Sequence, residues 1–251
     1  MIIKKFLNNL NISTYTIILI FISFLAGLFK EVIVISIILI IHEFGHFLAL
    51  YLYKWNIKKI IIYPFGGIII LDEKIDKSLK EEFIITIMGP IFQEILYILI
   101  VILYKYNYID NYYFKLFSEY NLSILIFNLL PIIPLDGSKL FNVILNKFLN
   151  FRLSYNINIS ISFIFLILFF IIFRNDSSYY IIIFYLIGQL IYYFKNRYII
   201  FNKFILEKKL RKSEYIKYKK VKNIKDMHRN KRNLINDNGT YITEYRYTNK
   251  K

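Results

Sequence analysis

The chain has 251 residues, of which 57% are hydrophobic and 19% aromatic, and its mean hydropathy is +0.47. Water-soluble domains are about 45–50% apolar, so this composition argues against a water-soluble globule and against a disordered chain. There is no cysteine, which excludes disulfides, thiolate nucleophiles and cysteine metal ligands. A net charge of +16 in so apolar a chain is typical of a membrane protein whose basic residues lie in its cytoplasmic parts.

Six stretches have the length and apolarity of transmembrane helices. The first follows two lysines, and because no small-residue cleavage site follows it we expect an uncleaved span rather than a signal peptide. The predicted spans are Thr14–Leu28, Val32–Tyr53, Phe83–Tyr104, Asn121–Phe148, Leu153–Phe173 and Tyr179–Phe194. The predicted fold class is therefore an all-α polytopic membrane protein with about six transmembrane helices, built from residues 1–200.

The distribution of basic residues predicts the orientation of these spans. With the amino terminus in the cytoplasm, 29 of the 33 lysine and arginine residues fall on the cytoplasmic side and four on the other side. An excess of basic residues marks cytoplasmic segments. We therefore expect a multi-pass protein of the cell membrane with both termini in the cytoplasm.

The second predicted span contains the sequence His-Glu-Phe-Gly-His at residues 42–46. Residues four apart share one face of a helix, so the imidazoles of His42 and His46 can bind one Zn²⁺ while Glu43 lies beside a water on that metal. Zinc lowers the pKa of a bound water toward about 7, and Glu43 could then act as the general base. Ionisable side chains at membrane depth are costly without a partner or a polar cavity, which favours a functional site over a packing role.

A catalytic zinc normally has three protein ligands, and three residues are candidates for the third. His228 lies in the basic C-terminal segment, whereas Glu94 and Asp136 lie within predicted spans. Pro131 and Pro134 precede Asp136, and they should break the fourth span and place its carboxylate in a polar cavity. We therefore expect Asp136 to be the third ligand and Glu94 to be a supporting polar group.

Two motifs together resemble the site-2 protease family of intramembrane zinc metalloproteases. They are H-E-x-x-H in an early span and N-L-L-P-I-I-P-L-D-G at residues 128–137 in a later one. The short six-span layout is closest to the stage IV sporulation protein FB group of that family. The resemblance implies that His42, His46 and Asp136 bind zinc and that Glu43 is the catalytic base.

The same resemblance implies an integral-membrane zinc endopeptidase that cuts a membrane-associated protein near the cytoplasmic face. In the sporulation group this activity removes the pro-sequence of pro-sigma-K in the mother cell, and membrane regulatory proteins can inhibit it. A generic site-2 protease acting on an anti-sigma factor or on signal-peptide remnants is the alternative protease. A non-enzymatic scaffold or pseudoprotease and a metal transporter also stay open, and a transporter would need several polar groups along a path.

Residues 201–251 differ from the rest of the chain because they are strongly basic. From residue 203 onward there are 16 basic and five acidic residues. We predict a solvated cytoplasmic tail that contacts anionic lipid, with docking of a protein partner as the alternative and no nucleic-acid role. The segment is too short for the CBS domain of the sporulation group, so we expect neither a CBS nor a PDZ domain.

Residues 60–71 predict a short membrane-associated β-hairpin after the second helix, since two β-branched runs flank a turn with Pro64, Gly66 and Gly67. The hairpin could simply connect two spans. It could also present an edge strand that holds a substrate peptide extended, with the two glycines in contact with that peptide.

Asn128 is an amide within an apolar helix and needs a partner. It could stabilise the oxyanion that develops at the scissile carbonyl, or it could cap carbonyls that the two following prolines leave free. The sequence Gly-Pro-Ile-Phe-Gln at residues 89–93 resembles a G-P-x-x-N motif of the family. A proline kink with close helix packing is the favoured interpretation there.

Overall fold

The structure, a computed structural model, describes residues 2–63, 66–175, 179–210, 215–237 and 239–249. These residues are mostly helical, as the sequence predicts. The helices are α1 (Ile2–Asn9), α2 (Thr14–Leu25), α3 (Phe29–Leu52), α4 (Leu79–Lys105), α5 (Asn111–Leu129), α6 (Asp136–Phe148), α7 (Phe151–Phe173), α8 (Tyr180–Leu210) and α9 (Glu244–Asn249).

Six strands form two three-stranded sheets among the described residues. The strands are β1 (Leu10–Ile12), β2 (Ile57–Tyr63), β3 (Gly66–Leu71), β4 (Tyr218–Val221), β5 (Arg232–Asp237) and β6 (Thr240–Thr243). The first sheet has the order β1-β2-β3, with β1 parallel and β3 antiparallel to the central strand β2. The second sheet has the order β4-β5-β6, with β4 parallel and β6 antiparallel to the central strand β5. Pro64 and Phe65, in the predicted turn between β2 and β3, lie outside the described residues.

Three helices in the described part of the chain are long and apolar enough to cross a membrane, namely α3, α4 and α7. Helix α2 is apolar but has only 12 residues. These helices support a membrane protein, and they coincide with the second, third and fifth predicted spans. The count of six spans stays a prediction.

The fourth predicted span is divided into two helices. Helix α5 ends at Leu129, and α6 begins at Asp136 after a segment that contains Pro131 and Pro134. Each proline lacks an N–H donor and its ring clashes with the preceding turn, so the helix cannot continue through this segment. The break therefore falls where the prolines predict it, and it makes Asp136 the first residue of a helix.

The chain divides into two compact units, of which the first comprises residues 1–73 and 84–128. Helix α3 contributes to each of its main apolar clusters. Phe47 packs with Phe6 and Ile60 at one end, while Val34 and Ile38 pack with Phe117 of α5. Apolar neighbours on several sides therefore fix the helix that carries residues 42–46.

The second unit comprises residues 74–83 and 129–251. Its core joins both helical and sheet residues: Phe151 of α7 and Phe204 of α8 pack with Val221, Met227 and Ile235. The basic segment thus carries a folded sheet, and the sequence analysis did not predict these strands.

Buried charges link parts of the second unit that are far apart in sequence. The Lys208 ammonium is 3% exposed and lies 2.5 Å from an Asp76 carboxylate oxygen and 3.8 Å from Glu244. Arg229 pairs with Glu82 at 2.6 Å. Burial raises the pKa of the Glu244 carboxyl, and the neighbouring Lys208 charge opposes this shift. Residues 74–83, which include the first turn of α4, are therefore held by the C-terminal segment through ion pairs.

Candidate metal centre

Helix α3 presents both predicted histidines on one face. His42 and His46 are buried, and their Nε2 atoms lie 3.1 Å apart. This geometry follows from the spacing of four residues, which places the two side chains one helical turn apart. The two imidazoles therefore face a common point inside the protein.

Hydrogen bonds at the opposite ring nitrogens define the tautomer of each histidine. His46 Nδ1 lies 2.8 Å from the carbonyl oxygen of Ile85, which can only accept, so His46 Nδ1 carries the proton. His42 Nδ1 lies 3.0 Å from Gln93 Oε1. The Gln93 amide nitrogen donates to the Asn121 carbonyl oxygen at 2.8 Å, which turns Oε1 toward His42. Both Nε2 atoms are thus left with lone pairs.

Two nitrogen lone pairs 3.1 Å apart repel each other unless a cation lies between them. With zinc–nitrogen bonds of about 2.0–2.1 Å, a tetrahedral site separates two ligand nitrogens by about 3.3 Å. The observed separation is close to that value. The donor set and its spacing therefore fit a zinc ion bound by the two Nε2 atoms.

Asp136 is the third predicted ligand, and it is 4% exposed at the start of α6. Lys139, one turn later, donates to its Oδ1 at 2.8 Å. The assignment of Asp136 as the third zinc ligand stays a prediction.

Glu43, the predicted general base, is buried beside the first strand residues of β3. The backbone N–H of Gly67 donates to Glu43 Oε1 at 2.8 Å. A Cβ atom on Gly67 would overlap the carboxylate of Glu43, so only glycine permits this approach. Gly66 has a φ of +143°, a backbone conformation that residues other than glycine rarely adopt. The two glycines thus shape the backbone next to Glu43.

Gly89 and Gln93 contact the metal ligands, although the sequence analysis favoured a packing role for their motif. Helix α4 continues through Pro90. A Cβ atom on Gly89 would overlap Nε2 of His46 and would lie 2.9 Å from Nε2 of His42. A glycine and an amide four residues apart share a helix face, and that spacing was the signal available in the sequence.

The other predicted residues have separate surroundings. Asn128 is 6% exposed, one residue before α5 ends. Glu94 accepts from the side-chain amide of Asn121 at 3.0 Å. His228 is buried within the second unit, where burial lowers its pKa.

The third ligand can be tested by comparing two carboxylates. We expect Asp136→Asn to lower zinc affinity by more than about 100-fold. Loss of a group that only supports a ligand through a hydrogen bond lowers metal affinity by about 10–100-fold, and loss of a ligand should lower it further. The conservative change Glu94→Gln should lower zinc affinity by less, because Glu94 accepts a hydrogen bond from Asn121 and a glutamine oxygen can accept the same bond. Zinc retained after dialysis against chelators of graded affinity measures both. Loss of zinc in Glu94→Gln with retention in Asp136→Asn would exchange the two roles.

Part of the chain matches the model of a known protein family. Residues 30–111, which include nearly all of α3 and the whole of α4, match the model of peptidase family M50. The predicted resemblance to the site-2 protease family is confirmed over this segment.

Two curated relatives make the likeness more specific. The chain is 38% identical to stage IV sporulation protein FB of Bacillus subtilis over 144 residues, which are 57% of this chain and 50% of that protein. It is 34% identical to a zinc metalloprotease of Methanocaldococcus jannaschii over 111 residues, which are 43% of this chain and 32% of that protein. The matches thus span half or less of these relatives.

A solved structure supports the fold. The site-2 protease from Methanocaldococcus jannaschii superposes with a TM-score of 0.54, covering 83% of this chain and 95% of that chain at 22% identity. The described residues therefore have a site-2 protease-like fold.

Proposed function

We propose that this chain is an intramembrane zinc metalloendopeptidase that cuts a membrane-associated protein near the cytoplasmic face. The observation that carries the proposal is the pair of His42 and His46 Nε2 atoms, 3.1 Å apart on one face of α3, which fits a zinc ion. Glu43 on the same helix supplies a buried carboxylate, and the likeness to zinc metalloproteases supports the assignment.

His42, His46 and Asp136 would hold the zinc ion. When bound, zinc would lower the pKa of a water toward about 7 and polarise a peptide carbonyl. Gly67 N–H fixes one oxygen of the Glu43 carboxylate, which leaves the second oxygen to take a proton from the attacking water. Glu43 would then give that proton to the leaving amine.

Strand β3 is the proposed binding edge for the substrate. It lies at one edge of the sheet β1-β2-β3, and its outer side has no partner strand among the residues described. A peptide paired to this edge would be extended, as attack on its carbonyl requires. Gly66 and Gly67 would contact the peptide there, and Asn128 would donate to the developing oxyanion.

The proposed topology is a multi-pass protein of the cell membrane with six spans, a membrane-associated hairpin of β2 and β3, and both termini in the cytoplasm. The three long apolar helices and the charge asymmetry of 29 basic residues to four support it. The basic segment from residue 201 onward would face the anionic cytoplasmic leaflet.

The proposed biological reaction is removal of the pro-sequence of pro-sigma-K during sporulation, on the mother-cell side, under the control of membrane regulatory proteins. The likeness to stage IV sporulation protein FB supports this substrate over an anti-sigma factor or signal-peptide remnants. The match covers half of that relative, so the substrate needs a direct test.

Co-expression with pro-sigma-K tests both the activity and the substrate. We expect wild-type chain to shorten pro-sigma-K, and Glu43→Gln to slow that cleavage by about 10²–10⁴-fold, the contribution typical of a general base. Zinc content should stay unchanged in the variant, because Glu43 is not a ligand. The product is followed by immunoblot, and its new amino terminus is sequenced.

Glu94→Gln is the matched control, since it makes the same substitution at a carboxylate of the neighbouring helix. It should leave most cleavage intact. Equal cleavage by wild type and Glu43→Gln would refute the protease and favour a scaffold. Cleavage of an anti-sigma factor but not of pro-sigma-K would retain the protease and reject the sporulation substrate.

A further inference from the structure

A cavity of about 120 Å³ lies between α7 and α8 in the second unit. Its walls come from the first two turns of α7 and from residues 197–201 of α8. Liquid water occupies about 30 Å³ per molecule, so the cavity has room for about four waters or for one phosphate group of five heavy atoms. The lining residues used below are Phe151, Arg152, Tyr155, Asn156, Arg197 and Tyr198.

Two arginines, Arg152 and Arg197, line this cavity. Arg152 lies over the Phe201 ring at 5.7 Å, and Arg197 lies over the rings of Phe194 and Tyr198 at 4.1 and 4.8 Å. Arg197 also donates to the Tyr198 hydroxyl at 3.2 Å. Within the described ranges, neither arginine forms an ion pair, and no acidic residue lines the cavity.

This arrangement differs from that of other basic residues in the same unit. Lys139, Lys208 and Arg229 each lie within 2.8 Å of a carboxylate oxygen. A guanidinium has five N–H donors in a planar fork, which matches the oxygens of a phosphate. Asn156 also lines the cavity and offers its side-chain amide as a donor, whereas the Tyr155 hydroxyl donates to the Tyr193 carbonyl oxygen at 3.5 Å. The cavity is therefore built for an oxyanion.

The position of the cavity along the helices identifies the source of the anion. Helix α7 is long and apolar enough to span a membrane, and the cavity lies at its first two turns. Tyrosine and arginine at the end of an apolar helix are typical of the membrane interface. On the proposed topology this end faces the cytoplasm, where the leaflet carries anionic lipids.

We propose that this cavity binds the phosphate of an anionic phospholipid headgroup at the cytoplasmic face, held by Arg152 and Arg197. The inference rests on the proposed function only for the side of the membrane that the cavity faces, and it involves no catalytic step. The apolar surfaces of α7 and α8 outside the cavity would contact the acyl chains.

The test uses the full chain purified in a neutral detergent and titrated with short-chain phosphatidylglycerol, phosphatidylcholine or inorganic phosphate, with bound lipid counted by native mass spectrometry. Wild-type chain should bind phosphatidylglycerol more tightly than phosphatidylcholine. Each of Arg152→Gln and Arg197→Gln should weaken phosphatidylglycerol binding about fivefold, and the double variant about 25-fold, given the worth of a basic residue near an anionic surface.

Lys195→Gln is the matched control, because Lys195 is an exposed residue of α8 outside the cavity. It should change binding less than twofold. Unchanged zinc content in the double variant would show that the chain remains folded, and Arg152→Lys/Arg197→Lys should bind with intermediate affinity because charge is kept and the planar fork is lost.

Three results would overturn the proposal: equal affinity for the two lipids, equal loss in Lys195→Gln and the double variant, or inorganic phosphate binding as tightly as phosphatidylglycerol. The last would assign the cavity to free phosphate. Lipid binding is also measured in the Glu43→Gln chain. A result that refutes the lipid site is therefore distinguishable from one that refutes the protease assignment.

Discussion

Gly89→Ala should leave the chain without bound zinc. The added methyl group would overlap Nε2 of His46 and would lie 2.9 Å from Nε2 of His42. The His46 ring cannot turn away without breaking its 2.8 Å hydrogen bond to the Ile85 carbonyl. Two of three potential ligands are therefore disturbed by one methyl group. Zinc measured on the purified chain should fall from about one ion to less than about a tenth of an ion per chain.

Gly188→Ala is the control for this change. Gly188 also lies within a helix, and among the described residues a Cβ atom there would meet nothing within 4 Å beyond the adjoining backbone of its own helix. This variant should keep its zinc and gain up to about 0.4–1 kcal/mol in stability, the usual effect of replacing a helical glycine that has space. Wild-type zinc content in Gly89→Ala would show that the metal lies elsewhere than between the two Nε2 atoms and Gly89.

Lys208→Met should lower the free energy of unfolding of the second unit by about 3–5 kcal/mol, the cost typical of breaking a buried ion pair from one side. The Lys208 ammonium lies 2.5 Å from Asp76 and 3.8 Å from Glu244, and it donates to the Lys231 carbonyl at 3.1 Å. Without it, the buried Glu244 carboxylate and the partly buried Asp76 carboxylate lose their counter-charge. Limited proteolysis of the C-terminal segment against denaturant concentration measures the change.

Lys209→Met is the control, since this neighbouring lysine is exposed and the substitution is the same. It should change stability by less than about 0.5 kcal/mol. Lower pH should narrow the difference between Lys208→Met and wild type, because burial already raises the pKa of Glu244 and protonation removes its uncompensated charge. An equal effect of both substitutions would refute a structural role for the buried ion pair.

Sequence patterns of short range predict the local parts of the site. The spacing of His42 and His46 determines that they share a helix face, and two prolines before Asp136 determine that a helix begins there. Both features depend on the backbone over fewer than about ten residues. The structure agrees with them for this reason.

Features that depend on packing between distant segments could not be predicted in the same way. The Lys208–Asp76 pair joins residues 132 positions apart, and nothing in the local charge pattern distinguishes this lysine from Lys209. Strands β4 to β6 have only four to six residues, and β4 and β5 carry charged residues, so their apolar–polar alternation is weak. The approach of Gly89 to both histidines likewise requires knowledge of how two helices cross.

The hydrogen bond from Gly67 to Glu43 has a consequence for engineering this chain. Strand β3 orients the Glu43 carboxylate and also offers the edge that a peptide would join. Catalysis and peptide binding therefore both depend on the position of this one strand. Substitutions made on β3 to alter sequence preference will change turnover as well, because a shift of about 1 Å lengthens a 2.8 Å hydrogen bond beyond its useful range. Selectivity and rate are therefore tuned together here, and changes meant to separate them belong on other elements.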